Sequence, residues 1–142
     1  MKTYVGNKFG RHVVIHLGKG ELILESIMQE IRLLGIKSGI VTSGIGSARK
    51  IIYHRIASLA DDPENIFVTM EGPMEIGSIQ GLILDGEPHL HISCFGEDGA
   101  FAGHLEPGCQ VQYLVELSII ELEDADLVRR IDEFGISYID RR

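Results

Sequence analysis

Cysteine is scarce in this chain. Cys94 and Cys109 are the two among 142 residues, and they form no close-spaced pair. A disulfide between them stays open at this stage, and a reducing compartment is the simpler reading. Long apolar runs are missing as well. None approaches a bilayer span, and no cationic leader precedes an apolar segment. With 44% hydrophobic and 24% charged residues, neither a disordered nor a membrane class fits, so a cytoplasmic protein is expected. Positive charge is in short supply. Thirteen Lys and Arg face 21 Asp and Glu, for a net charge of −8. The basic residues are scattered, with the densest groups at Arg49–Lys50, Arg129–Arg130 and Arg141–Arg142. Strong non-specific DNA binding, which neutralises phosphates with clustered cations, is not expected. There is no H-E-x-x-H, no nucleophile–His–Asp set, and no P-loop Lys-Ser/Thr after Gly18-Lys19-Gly20. No repeat or linker divides the chain, so residues 1–142 are expected to form one domain.

What the chain does have is histidine, concentrated in one stretch. Pro88 to Gly108 reads P-H-L-H-I-S-C-F-G-E-D-G-A-F-A-G-H-L-E-P-G and holds three of the six histidines. His89 and His91 are two apart, so on a strand both imidazoles share a face. His104 returns after a glycine-rich excursion. Three converging imidazoles make a metal site with room for an exogenous ligand. Zn²⁺ is the first choice, since it accepts neutral imidazole and three protein ligands plus water; Ni²⁺, Cu²⁺ and Fe²⁺ stay open. A fourth ligand could come from Glu75, Glu106 or a neighbouring subunit. Cys94 has odd spacing from both His89 and His91 and reads as a buried apolar residue. His12 and His16 share a face, but a strand separates them by roughly 13 Å, too far for one ion.

In chain order, H-V-V-I-H-L within Tyr4–Leu17 reads as a strand. From Glu21, Leu24, Ile27, Met28, Ile31 and Leu34 recur at helical spacing, and Gly35 is a natural stop. A strand follows, then a glycine-rich break at Gly44 and Gly46 that reads as a hairpin or a bulge, then a strand through Ile51–Ile56. Leu59–Asn65 reads as a polar connector, Ile66–Met70 as a short strand, and Met74–Leu84 as a glycine-punctuated one. Asp85-Gly86 is a strong turn signal leading into the histidine strand. Cys109–Leu122 is a long alternating β run, and the charged tail has room for a helical turn and an ending strand. The expected fold is α+β: a largely antiparallel, highly twisted sheet with one main helix packed on it, in a single compact domain. A partner subunit could cover the other face.

These segments together resemble the plants-and-prokaryotes-conserved (PPC) domain family, in its stand-alone prokaryotic form. The residues that carry the resemblance are G-K-G-E-L-I-L-E-S-I (18–27), G-I-K-S-G-I-V-T-S-G-I-G-S (35–47), M-E-I-G-S-I-Q-G (74–81), P-H-L-H-I-S (88–93) and G-A-F-A-G-H-L-E-P-G-C-Q-V (99–111). The resemblance implies a compact domain assembled as a homotrimer, with a metal site at His89, His91 and His104. In plants the family's domain stands behind basic AT-hook motifs in DNA-binding proteins; no such hook occurs here. The arginine that precedes the family's plant glutamate is also absent, the segment being Gly72-Pro73-Met74-Glu75-Ile76.

Two functions follow as expectations. The first is a metal-binding, regulatory or DNA-associated module, with a small ligand at the metal. The alternative is a metal-dependent hydrolase or lyase using a metal-bound water, with Glu75 or Glu106 as general base.

Overall fold

The computed structural model describes residues 1–61 and 64–142, so the connector read at Leu59–Asn65 lies partly outside the described residues. Its elements run β1 (Phe9–Gly18), α1 (Ile23–Leu34), β2 (Gly39–Ile56), β3 (Asn65–Leu84), β4 (Glu87–Gly96), β5 (Gly99–Leu105), β6 (Gln110–Leu122), β7 (Leu127–Ile131) and β8 (Ser137–Arg141). The first six strands form one sheet in the order β1-β6-β2-β3-β4-β5, and every pairing is antiparallel. β2 also pairs with β5, so β2, β3, β4 and β5 close a ring. β7 and β8 form a separate hairpin.

The helix forms where the periodicity places it. Ile23, Leu24, Ile27 and Ile31 turn one apolar stripe into the core, alongside Ile15 and Leu17 of β1 and Val115 and Leu117 of β6. Each fully buried isoleucine of that stripe contributes about 1.5–3 kcal/mol relative to an exposed one. Gly35 ends the helix at φ 67°, a left-handed conformation that glycine adopts without steric cost. Its N–H donates to Arg32 O and the Ile36 N–H to Ile31 O, which satisfies two of the last carbonyls.

The architecture differs from the expected α+β balance. One 12-residue helix accompanies eight strands among the described residues, so the domain is mostly β. The reason lies in the glycines. Of the two readings of Gly44 and Gly46, the hairpin fails and the bulge holds: they lie inside the single 18-residue β2, beside irregularities in its ladder with β6. A Cβ on Gly44 would meet Ile79 Cβ at 2.6 Å, and one on Gly46 would meet Leu114 O at 2.3 Å. They are the points where β3 and β6 press against β2, and ladder shifts between Val41 and Ser43 and between Gly46 and Ala48 bend the strand there. Likewise Ile66–Met70 and Met74–Leu84 are one 20-residue strand, β3. The tail carries no helical turn; it folds as the β7–β8 hairpin.

Candidate metal centre

The histidine cluster is assembled by three strands. Asp85 (φ 54°) and Gly86 (φ 79°) make the two-residue turn that joins β3 to β4. Beyond it, Leu90, Ile92 and Cys94 point into the core and His89 and His91 point outward, as a period of two requires. β5 pairs with β4 so that His104 lies opposite His91, and with β2 so that His104 lies opposite His54. Gly103 permits that second pairing: a Cβ there would stand 2.6 Å from His54 O and 2.4 Å from the Tyr53 ring. Gly81, at φ 154°, lets β3 lie against the carbonyl of His89, which a Cβ would approach to 1.9 Å.

The rings are close. Centroids of His89 and His104 are 4.9 Å apart, His89 and His91 5.5 Å, and His91 and His104 5.7 Å. Around one tetrahedral zinc, with Zn–N near 2.0–2.1 Å, imidazole centroids lie roughly 5 Å apart. His54 takes a different position, stacked on His104 at 4.4 Å with the planes 20° apart. Glu106 joins these two: its Oε1 lies 2.5 Å from His54 Nδ1 and 2.9 Å from His104 Nδ1. An ionised carboxylate only accepts, so a ring facing it presents Nδ1–H, which leaves Nε2 as the atom through which a neutral ring would ligate. The tightest grouping of donor atoms is accordingly not the one expected from the sequence. His54, His104 and Glu106 have ligand atoms within 4.8 Å of one another, and the His89 and His91 rings lie 4.9 and 5.7 Å from that of His104, centroid to centroid.

Electrostatics favour neutral imidazole here. Burial lowers the pKa of His89, and the charges of His104 and Arg129 add to it. Burial also lowers that of His104, with His54 next, while Glu106 opposes the shift. Neutral imidazole is the form that ligates a metal.

Glu75 does not join the cluster. Its cross-strand partner is Phe95, four residues along β4 from His91, roughly 13 Å away by strand rise. It borders a separate cavity with Phe95 and Phe101. Cys94 is buried, and neither cysteine is in a disulfide. His12 and His16 stand exposed on β1, opposite Ile120 and Glu116 of β6. His54 is the residue the sequence reading missed. Nothing in Y-H-R marks it, because its place depends on the β2–β5 ring closure.

The sequence profile of the Plants and Prokaryotes Conserved (PCC) domain matches residues 4–123. The chain belongs to that family. Solved structures agree on the PCC fold. A plant- and prokaryote-conserved protein from Pyrococcus horikoshii superposes with a TM-score of 0.81 at 24% identity, covering 100% of this chain and 99% of that one. A metal-containing protein from Archaeoglobus fulgidus gives 0.80 at 20% identity, over 95% of each chain. A protein from Bacteroides thetaiotaomicron, named as a candidate DNA-binding protein, gives 0.77 at 21% identity, over 98% of each. No curated protein matches the chain. No helix among the described residues is long and apolar enough to cross a membrane.

Proposed function

We propose that this PCC-domain protein binds a divalent transition metal, zinc by preference, through His89, His91 and His104, and acts as a homotrimeric regulatory or DNA-associated binding module. The observation that carries the metal is the arrangement of the three rings, with centroids 4.9–5.7 Å apart, where burial favours the neutral form of His89 and His104. Glu106 supports the same set: its hydrogen bond to His104 Nδ1 turns Nε2 outward as the donor, the usual outer arrangement of a metal-bound histidine. His54 and Glu106 suit a supporting role better than ligation. Stacked rings direct their in-plane lone pairs side by side, and Glu106 Oε1 is engaged by two N–H groups.

The test is metal content. His89→Ala combined with His91→Ala removes stoichiometric metal from the purified protein by elemental analysis; unchanged content would sink the assignment. Exposed apolar side chains on interior strands, Ile45, Phe95, Tyr113 and Leu114, support the trimer. Light scattering that reports a monomer removes it. DNA association rests on the relative's name and works against the net charge of −8. A mobility shift that fails at low salt ends that role.

A cavity of about 320 Å³ beside His89 and His91 favours one further reading, a metal-dependent hydrolase or lyase acting on a small molecule. Zinc bound there would supply an activated water near neutral pH. Glu75 is too far along the sheet to serve it as base. Metal-loaded protein inert towards small ester and phosphodiester probes would remove this reading.

A further inference from the structure

The β7–β8 hairpin lies beyond the stretch that matches the PCC family, residues 4–123. It packs beside the histidine cluster and completes the cavity of about 320 Å³ there. His89 and His91 form one part of the lining, Arg129 and Tyr138 of the hairpin another, and Leu82 and Ile139 supply apolar wall. Arg129 is the unusual member. It is half-buried, and its guanidinium donates from Nη1 to Glu87 O at 3.1 Å and from Nη2 to Leu82 O at 3.2 Å. Both acceptors are neutral carbonyls. No salt bridge holds Arg129 among the described residues, and the Glu87 carboxylate acts on it only at longer range. A guanidinium has five N–H donors in a flat fork, so three are left. A partly desolvated cation without a counter-ion is costly unless something anionic meets it.

We infer that this cavity is a subsite for a small carboxylate anion carrying a second oxygen donor, such as a dicarboxylate or hydroxycarboxylate, with one carboxylate on Arg129 and the other oxygen towards the histidine cluster. The inference rests on the metal reading for the second contact, whereas the Arg129 contact stands without it. The Arg129 fork matches the planar carboxylate with two parallel hydrogen bonds. The apolar wall of Leu82 and Ile139 suits a short carbon skeleton between the two polar ends, which inorganic phosphate lacks. The volume is at the small end of ligand sites.

Calorimetry tests it, with malonate and inorganic phosphate as separate probes, on zinc-loaded and on chelator-stripped protein. Zinc-loaded wild type binds malonate in preference to phosphate. Arg129→Gln keeps its zinc stoichiometry and loses malonate affinity by at least about tenfold, the loss expected for a charge-assisted pair. Arg129→Lys keeps the charge without the fork and falls between them. Because Arg129 also ties the hairpin to Leu82 and Glu87, circular dichroism must match wild type; if Arg129→Gln does not fold, Arg129→Lys decides. Absence of malonate binding at millimolar concentration, equal binding by both variants, or binding of phosphate alone overturns the inference. If wild type takes up no zinc, the metal reading fails by itself. Malonate binding to the stripped protein that Arg129→Gln abolishes then still supports the subsite, and its absence overturns it.

Discussion

Replacing Glu106 separates the two ways in which the histidine cluster could hold a metal. One carboxylate oxygen accepts from His54 Nδ1 at 2.5 Å and from His104 Nδ1 at 2.9 Å. Hydrogen bonds to a charged group contribute about 1.5–3 kcal/mol each. Only the bond to His104 reaches the proposed metal, by fixing the tautomer and aim of that ring. Loss of such an outer partner costs about 10–100-fold in metal affinity, or about 1.4–2.7 kcal/mol. Glu106→Gln keeps the shape and an acceptor, so it should fall near tenfold; Glu106→Ala should approach a hundredfold. The assay is zinc competition with a chromophoric chelator, with circular dichroism confirming the fold. His54→Ala should weaken zinc binding less than Glu106→Ala does, since His54 touches the site only through Glu106 and the stacked ring. If His54→Ala or Glu106→Ala abolishes stoichiometric zinc while the His89/His91 double variant retains it, the donors are His54, His104 and Glu106. Affinity of Glu106→Ala within twofold of wild type would refute the reasoning for both sets.

Gly81→Ala places a methyl 1.9 Å from His89 O at a φ of 154°; a loss of roughly 2–4 kcal/mol is expected by urea unfolding, and wild-type stability would show that the β3–β4 contact relaxes freely. Gly35→Ala meets nothing within 4 Å, so only the left-handed backbone resists it, and the loss should be about 1 kcal/mol in the same assay. Burial pushes the Cys94 thiol up to about 12 and the Cys109 thiol up to about 11, so iodoacetamide at mildly alkaline pH should modify both in urea and neither in the folded protein. The same shifts give stability a sign. The unfolded chain releases these protons near the ordinary value of 9.0 and the folded chain keeps them, so stability should fall as pH rises from there towards 11–12. Replacing both cysteines with alanine should flatten that slope, and an unchanged slope would assign it to other groups.

The parts of the fold legible in the sequence are those set by local pattern. The Leu24–Leu34 periodicity and Gly35 place α1 and its stop, and Asp85-Gly86 places the β3–β4 turn. Alternation alone puts His89 and His91 outside and Cys94 inside. The illegible parts depend on partners far along the chain. Gly44 and Gly46 look like turn residues from within their own segment, yet their lack of a side chain is used by Ile79 and Leu114 of other strands. The same holds at the site. His104 is readable from its spacing after the histidine strand. His54 is not, because the β2–β5 pairing that delivers it is opened by Gly103, whose missing Cβ makes room for the Tyr53 ring. Arg129 was visible only as part of a basic pair, and its place beside His89 follows from a hairpin that the charged tail did not announce.

The sheet order has a consequence for synthesis. β1 finds its neighbour in β6, and roughly 90 residues separate the two. At about 5–20 residues per second, a ribosome leaves β1 without its strand partner for on the order of 5–20 s. Val13, Ile15 and Leu17 are already in the chain during that interval, and they form one edge of the later core. The next element to emerge is α1, whose isoleucine stripe belongs to the same core cluster as those residues in the finished domain. A helix forms on a far shorter timescale than translation. Placed directly after β1, it can shield the waiting strand until the C-terminal half of the sheet arrives.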